Sequence, residues 1–314
     1  MNRRQTIPKE LRYTVEDFHK RFPDDDACLE QIKEQRFPQG KTFCKKCLKS
    51  RKHYRVHGRT AYACETCGNH IFPLAGTIFE KTSTSLRLWF YAMYLMGSTR
   101  CGISAKQIQR ETGVTYKCAW RMFHQIRKLM SEQELRLGGS GTPGVEMDEM
   151  YHGGRRKNES GRMLAGNKGH LTTVVGVVER KGRIVARVQP VSIAATSALV
   201  KEYVMPETMI FTDEAAAYTA LPQLEGMGYQ HHRINHSAKV YVAGEVHTNT
   251  IEGFWSLVKR GIGGVYHSVS AKYLQSYLDE YSFRYNRRDS GNLIFAAMLE
   301  RASEMVSRKP SSQA

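Results

Sequence analysis

Two pairs of cysteines constrain the fold of this chain more than any other feature of its sequence. Cys44 and Cys47 form one C-x-x-C pair, Cys64 and Cys67 form another, and 16 residues separate the two pairs. Four thiolates at this spacing match a closed tetrahedral zinc site, and closed sites of this kind are structural. Two coincidental pairs are the alternative. We expect a zinc ribbon with one structural Zn²⁺ ion over residues 36–80.

The three other cysteines do not extend this pattern. The total of seven is odd, and no apolar run follows the basic N-terminus as in a signal peptide, so a disulfide framework is not expected. We expect Cys28, Cys101 and Cys118 to be small buried apolar residues. Between the two cysteine pairs, the sequence predicts a hairpin that turns at His57-Gly58.

The charge balance indicates the kind of partner. The chain of 314 residues has a formal net charge of +17 and a pI near 9.6, an excess that a polyanion such as nucleic acid would neutralise. Solubility alone is the alternative, although acidic residues serve it better than basic ones. The chain is 41% hydrophobic, which is enough for folded cores. No apolar run approaches the roughly 18 residues that would span a membrane.

A pair of short helices is predicted after the cysteine region. Ser104 begins the first helix with a capping-box pattern in which Gln107 reaches back, and Thr112-Gly113 ends it. The second helix covers the sequence TYKCAWRMFHQIRKLM, whose apolar residues recur at helical spacing. This arrangement is typical of a helix-turn-helix that contacts DNA bases, and an ordinary packed helix pair is the alternative. The candidate DNA-contacting residues are Tyr116, Lys117 and Arg121.

Breaks in the pattern divide the chain into segments. The sequence GGSGTPG is rich in glycine and contains a proline, as linkers often do. A chain of this length is expected to form two or three folded domains. The predicted segments are a lead-in (1–35) with a short helix near Thr14–Phe22, the zinc ribbon (36–80), a helix-turn-helix domain (83–137), the linker (138–144), an α/β domain (145–305) and a disordered tail (306–314).

The α/β domain has a specific predicted order of elements. Three β-rich runs come first and are separated by turn residues: VEMDEMYHG, HLTTVVGVVER and GRIVARVQPV. There follow a helix over SALVKEYVM, a buried strand at MIFTDEA, a broken helix over AAYTALPQLEG, a strand at YQHHRIN and helices from Thr250 with a break at Gly261–Gly264. This is the order of the ribonuclease-H fold, although the pattern alone leaves it one topology among several.

Three acidic positions in this domain are candidates for metal binding. Asp148 is central in a predicted buried strand and Asp213 ends another, where a carboxylate is costly unless a cation pairs with it. Glu252 begins a predicted helix, with Asn249 one turn before it and Lys259 two turns after it on the same face. Such a set would hold two Mg²⁺ ions about 4 Å apart and place Lys259 against a phosphate. A solvated helix face is the alternative for this lysine.

The acidic residues also have structural explanations that the sequence leaves open. Asp148 and Asp213 could be ordinary strand-end aspartates. The sequence Asn249–Glu252 is itself a capping box, in which the glutamate would reach back to the backbone. The neighbouring Glu149 and Glu214 are predicted to point away from the aspartates, because side chains alternate along a strand.

Together, these features resemble the insertion sequence 1595 family of DDE transposases over nearly the whole chain. The sequences that carry the resemblance are CKKC…CETCG, VEMDEMYHGGRRKN, IFTDEAAAY and HTNTIEGFWSLVKRGIGGVYHSVSAKYLQSYLDEYSFRYNRR. The resemblance implies a multidomain α+β protein, in which a zinc ribbon and a helix-turn-helix precede a ribonuclease-H-like catalytic domain with a mixed sheet. It also implies cutting and joining of DNA with Mg²⁺.

The resemblance assigns roles to individual residues. Asp148 would be the first catalytic carboxylate, Asp213 the second and Lys259 the accompanying basic residue. The third position would be occupied by Glu252 or Asn249, because members of the family often have asparagine where other DDE enzymes have glutamate. We favour Glu252, since a neutral amide binds Mg²⁺ more weakly than a carboxylate.

These inferences lead to one expected function and two alternatives. We expect a bacterial DNA transposase that binds terminal inverted repeats, cleaves and transfers strands with two Mg²⁺ ions, and acts in the cytoplasm at the nucleoid. Holding two ends implies at least a homodimer on double-stranded DNA. Arg155, Arg156 and Lys157 would contact its backbone or lie in a solvated loop. The alternatives are a zinc-ribbon and helix-turn-helix regulator without catalysis, and a ribonuclease-H-like nuclease that cuts without joining.

Overall fold

The structure, a computed structural model, describes residues 13–99, 101–132, 134–153, 171–233, 248–289 and 293–304. These residues divide into two units. The first comprises the N-terminal part of the chain up to Leu129 together with a C-terminal part from Asp289, and the second runs from Met130 to Arg288. In the described part of the chain, no helix is both long and apolar enough to cross a membrane.

The cysteine region of the first unit is an antiparallel sheet. Its strands are β1 (Lys41–Cys44), β2 (Lys49–Arg55), β3 (Tyr62–Cys64) and β4 (His70–Ile71), and their order in the sheet is the order in the chain. The predicted hairpin is formed by β2 and β3. Gly58 lies in the turn between them with a left-handed backbone (φ 73°), which glycine adopts without steric cost.

The remaining elements of the first unit are helical. They are α1 (Val15–Arg21), α2 (Asp25–Arg36), α3 (Leu86–Ser98), α4 (Ala105–Thr112), α5 (Tyr116–Lys128) and α9 (Leu293–Ser303). The short helix predicted near Thr14–Phe22 is α1. Thr14 and Asp17 form a reciprocal capping box at its start, with backbone donors 3.2 and 2.8 Å from the side-chain oxygens.

The final helix, α9, belongs to the first unit, which differs from the predicted α/β domain boundary at residue 305. The reason lies in its packing. The ring centroid of Phe295 is 6.0 Å from that of Phe18 and 6.2 Å from that of Phe22. A Cβ atom on Gly97 of α3 would lie 3.2 Å from Cε of Met298, so glycine allows the two helices to approach closely.

The two helices of the predicted helix-turn-helix are α4 and α5. Ser104 accepts a hydrogen bond from the backbone N–H of Gln107 (3.2 Å), and Gly113 ends α4 in the left-handed conformation (φ 70°). The capping box is only half formed, because the side-chain amide of Gln107 donates to Glu111 one turn later (2.7 Å) and does not reach back. The second helix begins at Tyr116.

The second unit is built on a mixed sheet. Its strands are β5 (Val145–His152), β6 (Thr172–Glu179), β7 (Ile184–Val188), β8 (Met209–Thr212) and β9 (Gln230–Arg233), and their order is β7-β6-β5-β8-β9. The pairs β5–β6 and β6–β7 are antiparallel, whereas β8 runs parallel to both β5 and β9. This order is that of the ribonuclease-H fold, which confirms the predicted fold class.

Helices cover both faces of this sheet: α6 (Ile193–Tyr203), α7 (Asn249–Gly261) and α8 (Ala271–Asn286). Val145 and Met147 of β5 point into the core shared with α6. Glu146 and Asp148 alternate with them and therefore face α7. Short 3₁₀ turns replace the predicted broken helix between β8 and β9, and a π-helical turn over Ile262–Tyr266 stands at the predicted break after α7.

The glycine-rich segment 138–144, predicted to be a linker, is part of the second unit and packs against its other residues. The backbone N–H of Gly139 donates to Oγ1 of Thr208 (2.8 Å), and a Cβ on Gly138 would lie 2.5 Å from the same side chain. Leu137, predicted to end the helix-turn-helix domain, is fully buried in the second unit and forms a bridge with Val204. The glycines are therefore needed for close packing and not for flexibility alone.

Side chains of α8 complete the hydrogen bonding of the edge strand β7. Gln275 accepts from the backbone N–H of Val188 (2.7 Å) and donates to the carbonyl of Ala186 (3.0 Å). Asn286 accepts from the N–H of Ile184 (2.7 Å) and donates to its carbonyl (3.1 Å). An edge strand that is paired in this way is protected from pairing with another chain.

Candidate active site and metal centre

The four cysteines lie together in the first unit. Cys44 and Cys64 end strands β1 and β3, and Cys47 and Cys67 lie in the turns that follow. All four sulfur atoms are within 4.8 Å of one another, with Sγ–Sγ distances of 3.5 Å for Cys44–Cys67 and 3.9 Å for Cys47–Cys64. Four sulfurs bound tetrahedrally at about 2.3 Å from zinc would be about 3.8 Å apart. The donor set therefore fits Zn²⁺.

The two cysteine turns have the same backbone geometry. The N–H of Leu48 donates to the carbonyl of Cys44 (2.8 Å), and that of Gly68 donates to the carbonyl of Cys64 (3.0 Å). Leu48 and Gly68 both have a left-handed backbone, with φ of 54° and 69°. A hydrogen bond from the N–H of Cys47 lowers the pKa of the Cys44 thiol to about 6, which favours the thiolate that binds metal.

The other cysteines differ in their environments. Cys28 is buried and Cys118 is partly buried, close to the expectation for small apolar residues. Cys101 is exposed, and the prediction of burial is wrong there, because this residue precedes α4 in a bend and not in a helix.

Strand register brings the two predicted aspartates together. On the parallel pair β5–β8, Val145 lies opposite Ile210, and the same register continued three residues further places Asp148 beside Asp213. Carboxylate oxygens of Asp148, Glu149 and Asp213 all lie within 4.8 Å of one another. These three residues form what we call the carboxylate cluster. Such a set of hard oxygen ligands fits a divalent cation such as Mg²⁺.

Glu149 was not expected in this cluster, and the prediction that it points away is wrong. The hydroxyl of Tyr218 donates to its Oε2 atom (2.7 Å), and the hydroxyl of Tyr151 lies 3.5 Å from Oε1. Strand β8 ends at Thr212, so the long glutamate side chain can bend around the end of the sheet. Burial raises the pKa of Tyr218 well above its usual range, which keeps this hydroxyl a donor. Glu214, in contrast, is exposed.

Asp148 is half-buried against α7. The indole Nε1 of Trp255 donates to its Oδ2 atom (3.1 Å). Gly176 lies opposite Asp148 on β6, and a Cβ there would be 2.6 Å from the Trp255 ring, so glycine makes room for the indole. Burial raises the pKa of Asp148 to about 6, with Glu149 and Asp213 adding repulsion. A bound cation would relieve both effects.

Glu146, two residues before Asp148, attaches the start of α7 to the sheet. Its carboxylate accepts from the backbone N–H groups of Thr250 (2.8 Å) and Ile251 (3.1 Å) and from the hydroxyl of Thr250 (2.9 Å). These N–H groups belong to the first turn of the helix, where no carbonyl of the helix can reach them. A fully buried carboxylate from a strand therefore caps this helix.

Arg180 compensates the charge of Glu146. Its Nε atom lies 3.0 Å from Oε1 of Glu146, and the two side chains are 10% and 0% exposed. The guanidinium also stacks on Phe211, 3.7 Å from the ring centroid. One buried ion pair thus joins four elements of the unit: strand β5, the loop after β6, strand β8 and helix α7.

The start of α7 differs from the predicted capping box. The N-cap residue is Thr248, and Asn249 is the first helical residue. Glu252 accepts a hydrogen bond from the hydroxyl of Thr248 (3.1 Å) and does not reach the backbone of Asn249. The box is unnecessary because Glu146 satisfies the N–H groups. Glu252, Asn249 and Lys259 are exposed, and Glu252 is not a member of the carboxylate cluster found in the described residues.

All three predicted DNA-contacting residues of α5 are exposed, and Tyr116 and Lys117 are the first two residues of the helix. Tyr116 is 43% exposed, and Lys117 beside it is exposed as well. Arg121 is exposed but engaged, since its guanidinium bonds the hydroxyl of Thr82 (3.3 Å) and lies over the Trp89 ring (5.5 Å). The candidates Arg155, Arg156 and Lys157 lie outside the described residues.

Four residues of the site were missed by sequence reasoning. They are Glu146, Glu149, Tyr218 and Trp255. Glu146 left a signal, because a second acid two residues before Asp148 shares its strand face. The other three were missed because their contacts join distant parts of the chain. Tyr218 contacts Glu149 over 69 positions and Trp255 contacts Asp148 over 107, so no local sequence pattern indicates either contact.

Family models match a segment of each unit. A model described as the ISXO2-like transposase domain matches residues 137–286, which contain the carboxylate cluster and α7. A model described as the transposase zinc-ribbon domain matches residues 23–70, which contain all four clustered cysteines. The chain belongs to the insertion sequence 1595 family of transposases.

Proteins related to this transposase carry names from the same context. An uncharacterized protein in transposable element ISH50 of Halobacterium salinarum is 28% identical over 244 residues, which cover 74% of this chain and 79% of that protein. An uncharacterized transposase-like protein of Haemophilus influenzae is 28% identical over 91 residues, which cover 29% of this chain and 70% of that protein.

Proposed function

We propose that this transposase binds the terminal inverted repeats of a bacterial insertion sequence and catalyses Mg²⁺-dependent strand cleavage and strand transfer. The observation that carries the proposal is the carboxylate cluster, whose oxygens lie within 4.8 Å of one another inside the matched transposase domain. Three acidic groups at this distance repel one another unless cations neutralise them. The cluster is therefore a site for metal-assisted phosphoryl transfer.

The side chains of the site have distinct roles in this proposal. Asp148 and Asp213 would hold two Mg²⁺ ions, which when bound would activate the attacking oxygen and neutralise the leaving one. Trp255 fixes the rotamer of Asp148, and Tyr218 fixes that of Glu149. In the first step, water attacks the phosphodiester and frees a 3′-hydroxyl. In the second, this hydroxyl attacks a target phosphodiester and displaces its 3′-oxygen.

Helix geometry favours Glu252 over Asn249 as the third residue. Successive residues of an α-helix are about 100° apart around its axis. Relative to Trp255, which contacts Asp148, Glu252 is displaced by about 60° and Asn249 by about 120°. Lys259 is within about 20° of Glu252, two turns further along α7. Glu252 and Lys259 therefore share the side of the helix nearer to the cluster, where the lysine would contact a phosphate.

The first unit would supply binding to the ends of the element. Tyr116 and Lys117 are exposed at the start of α5, and the N-terminal end of a recognition helix is the part that contacts base edges. Arg121, Arg155, Arg156 and Lys157 complete the proposed DNA-binding set. Because two ends must be held during joining, the active form would be at least a homodimer on DNA. Sedimentation of the strand-transfer complex as a monomer would contradict this part of the proposal.

The central test is incubation of the purified chain with labelled duplexes of candidate element ends and Mg²⁺. Asp148→Ala and Asp213→Ala should each lower cleavage and strand transfer by about a thousandfold or more. The matched control is Glu214→Gln, which removes an exposed acid beside Asp213 and should leave both reactions unchanged. Full activity in Asp148→Ala would contradict the proposal and favour the alternative function, a DNA-binding regulator without catalysis. Cleavage without joining by the wild-type chain would indicate the nuclease alternative.

A second test separates the two candidates for the third position. Glu252→Gln should lower strand transfer by at least a hundredfold, because an amide is a weaker Mg²⁺ ligand than a carboxylate. Asn249→Ala should change it less than tenfold. The reverse pattern would assign the third position to the asparagine.

A further inference from the structure

One face of the zinc-ribbon sheet carries aromatic and basic side chains. Residues opposite each other on antiparallel strands share a face, and so do alternate residues of one strand. Lys41 lies opposite Lys52, and Phe43 lies on the same strand face as Lys41. Tyr54 shares that face with Lys52 on β2. We call the surface formed by Lys41, Phe43, Lys52, Tyr54 and Phe72 the aromatic face.

Phe72 joins this face at the far end of the sheet. It follows β4, and His70 on β4 lies opposite Ala63, which in turn lies opposite Tyr54. The rings of Phe72 and His70 pack edge to face with centroids 6.3 Å apart. The aromatic face therefore extends across the whole sheet.

The aromatic side chains of this face are exposed. The exposed fractions are 58% for Phe43, 60% for Tyr54 and 56% for Phe72. The opposite face of the sheet is buried instead, with His53 and Tyr62 only 4% and 2% exposed. Large aromatic rings grouped on a surface in this way are typical of a binding site, because solvating them is unfavourable.

The charge of the surface specifies the partner. Strands β1 to β4 lie entirely within the described residues and contain no acidic residue, and Lys41 and Lys52 stand between the aromatic rings. A polyanion is attracted to such a surface. A second copy of the same face is disfavoured, since it would bring the lysines of both copies together.

We propose that the aromatic face binds single-stranded DNA by stacking unpaired bases on Phe43, Tyr54 and Phe72. Bases inside a duplex are already stacked on their neighbours, so exposed flat rings are suited to unpaired ones. Lys41 and Lys52 contact the phosphates between them. The proposal deepens the proposed function and rests on it, because strand cleavage at an element end frees the end of one DNA strand, which this face would bind once unpaired. Ser50, opposite Phe43, lies four positions before Tyr54 on β2, a distance of about 13 Å, so the face accommodates several nucleotides.

The test measures fluorescence anisotropy of a labelled single-stranded oligonucleotide of mixed sequence with the full-length, zinc-loaded chain. Changing Phe43, Tyr54 and Phe72 together to leucine keeps apolar volume but removes the aromatic rings, and should weaken binding about a hundredfold. The conservative Tyr54→Phe variant should bind as the wild type does. Lys41→Gln with Lys52→Gln should reduce the salt dependence of binding. The control Thr60→Ala, at an exposed residue in the turn between β2 and β3 of the same ribbon, should leave the affinity unchanged.

The outcomes are separable from those of the proposed function. Zinc content of each variant checks that the ribbon is folded, and exposed substitutions rarely unfold a domain. Unchanged single-strand affinity in the triple leucine variant overturns the inference even if strand transfer is observed. A loss of affinity supports it even if the chain proves inactive in strand transfer. A variant that loses self-association while keeping single-strand affinity would identify the face as a contact between copies, and also overturns the inference.

Discussion

The cysteine site and the carboxylate cluster are assembled over different distances along the chain. The sulfur contacts of the ribbon join residues 17 and 23 positions apart. In the second unit, Trp255 contacts Asp148 over 107 positions, and Glu146 contacts Thr250 over 104. A site made by the turns of two successive hairpins can be recognised from cysteine spacing, whereas a site made by sheet register and helix docking exists only once the domain has folded.

The two sites also differ in their effect on the fold without metal. In the ribbon, backbone N–H groups lower the pKa of the Cys44 thiol, whereas a hydrogen bond to Cys67 and burial raise the pKa of Cys47 to about 12. In the second unit, burial and neighbouring charges raise the pKa of Asp148, so its ionised form opposes folding. Strongly perturbed carboxylates of this kind are characteristic of functional sites. A backbone hydrogen bond in the ribbon thus favours a thiolate that binds metal, whereas the surrounding fold holds the carboxylate cluster together against its own repulsion.

The largest effect is expected from loss of zinc. Cys64→Ser should reduce zinc content from one ion per chain to none and unfold the ribbon, because structural zinc contributes about 10–16 kcal/mol to such folds. Elemental analysis and protease susceptibility of the ribbon would show this. The matched control is Cys101→Ser, at an exposed cysteine outside the cluster, which should retain the zinc. A zinc-free variant with an intact, protease-resistant ribbon would contradict the comparison.

The next effect concerns the buried carboxylate that caps α7. Glu146→Gln leaves the guanidinium of Arg180 without its buried counter-charge and weakens the bonds to the helix N-terminus. We expect a loss of about 3 kcal/mol in the free energy of unfolding. Strand transfer should fall as well, because α7 carries the proposed third residue. Urea denaturation would measure the first effect, with the exposed Glu214→Gln as control. Equal stability of the two variants would show that the ion pair does not hold the helix.

The same contrast explains what the sequence reveals. The zinc ribbon, the helix pair and the strands bearing Asp148 and Asp213 depend on local spacing and periodicity, and the structure has these elements where they are predicted. Glu149 and Trp255 could not be assigned, because their roles depend on where β8 ends and how α7 docks. The placement of α9 was missed for a similar reason, since its helical pattern does not say which core it joins.

The third effect has the opposite sign, a gain in stability. At pH 7.5 without Mg²⁺, Asp148→Asn should raise the free energy of unfolding by about 1–3 kcal/mol, because it removes a carboxylate whose pKa is raised to about 6 in the fold. A raised pKa makes the ionised carboxylate destabilising above pH 6. The penalty declines as pH falls through this value and is absent below the unfolded pKa near 4, so the gain should vanish at pH 3.5.

Magnesium provides the control for this prediction. Added Mg²⁺ should raise the melting temperature of the wild-type chain, because a ligand that binds only the folded state stabilises it by mass action. Asp148→Asn should respond much less. If Asp148→Asn is less stable than the wild type at pH 7.5, the cluster is an ordinary structural network. The ionised carboxylate would then not oppose folding, and the two sites would not differ in this respect.

The smallest effect compares the two cysteine turns with each other. In each turn, the residue directly after the second cysteine of the pair has a left-handed backbone. This residue is Leu48 in the first turn and Gly68 in the second. Gly68→Ala should cost about 1 kcal/mol, since a Cβ there meets no atom within 4 Å and only the backbone is strained. Leu48→Gly should relieve the same backbone strain. It should raise the free energy of unfolding by somewhat less than 1 kcal/mol, because glycine also increases the conformational entropy of the unfolded chain. In a chelator competition, zinc should be held about fivefold more weakly by the first variant and slightly more tightly by the second. Equal zinc affinities in both variants would mean that turn geometry does not limit the ribbon and that the four sulfurs alone determine its stability.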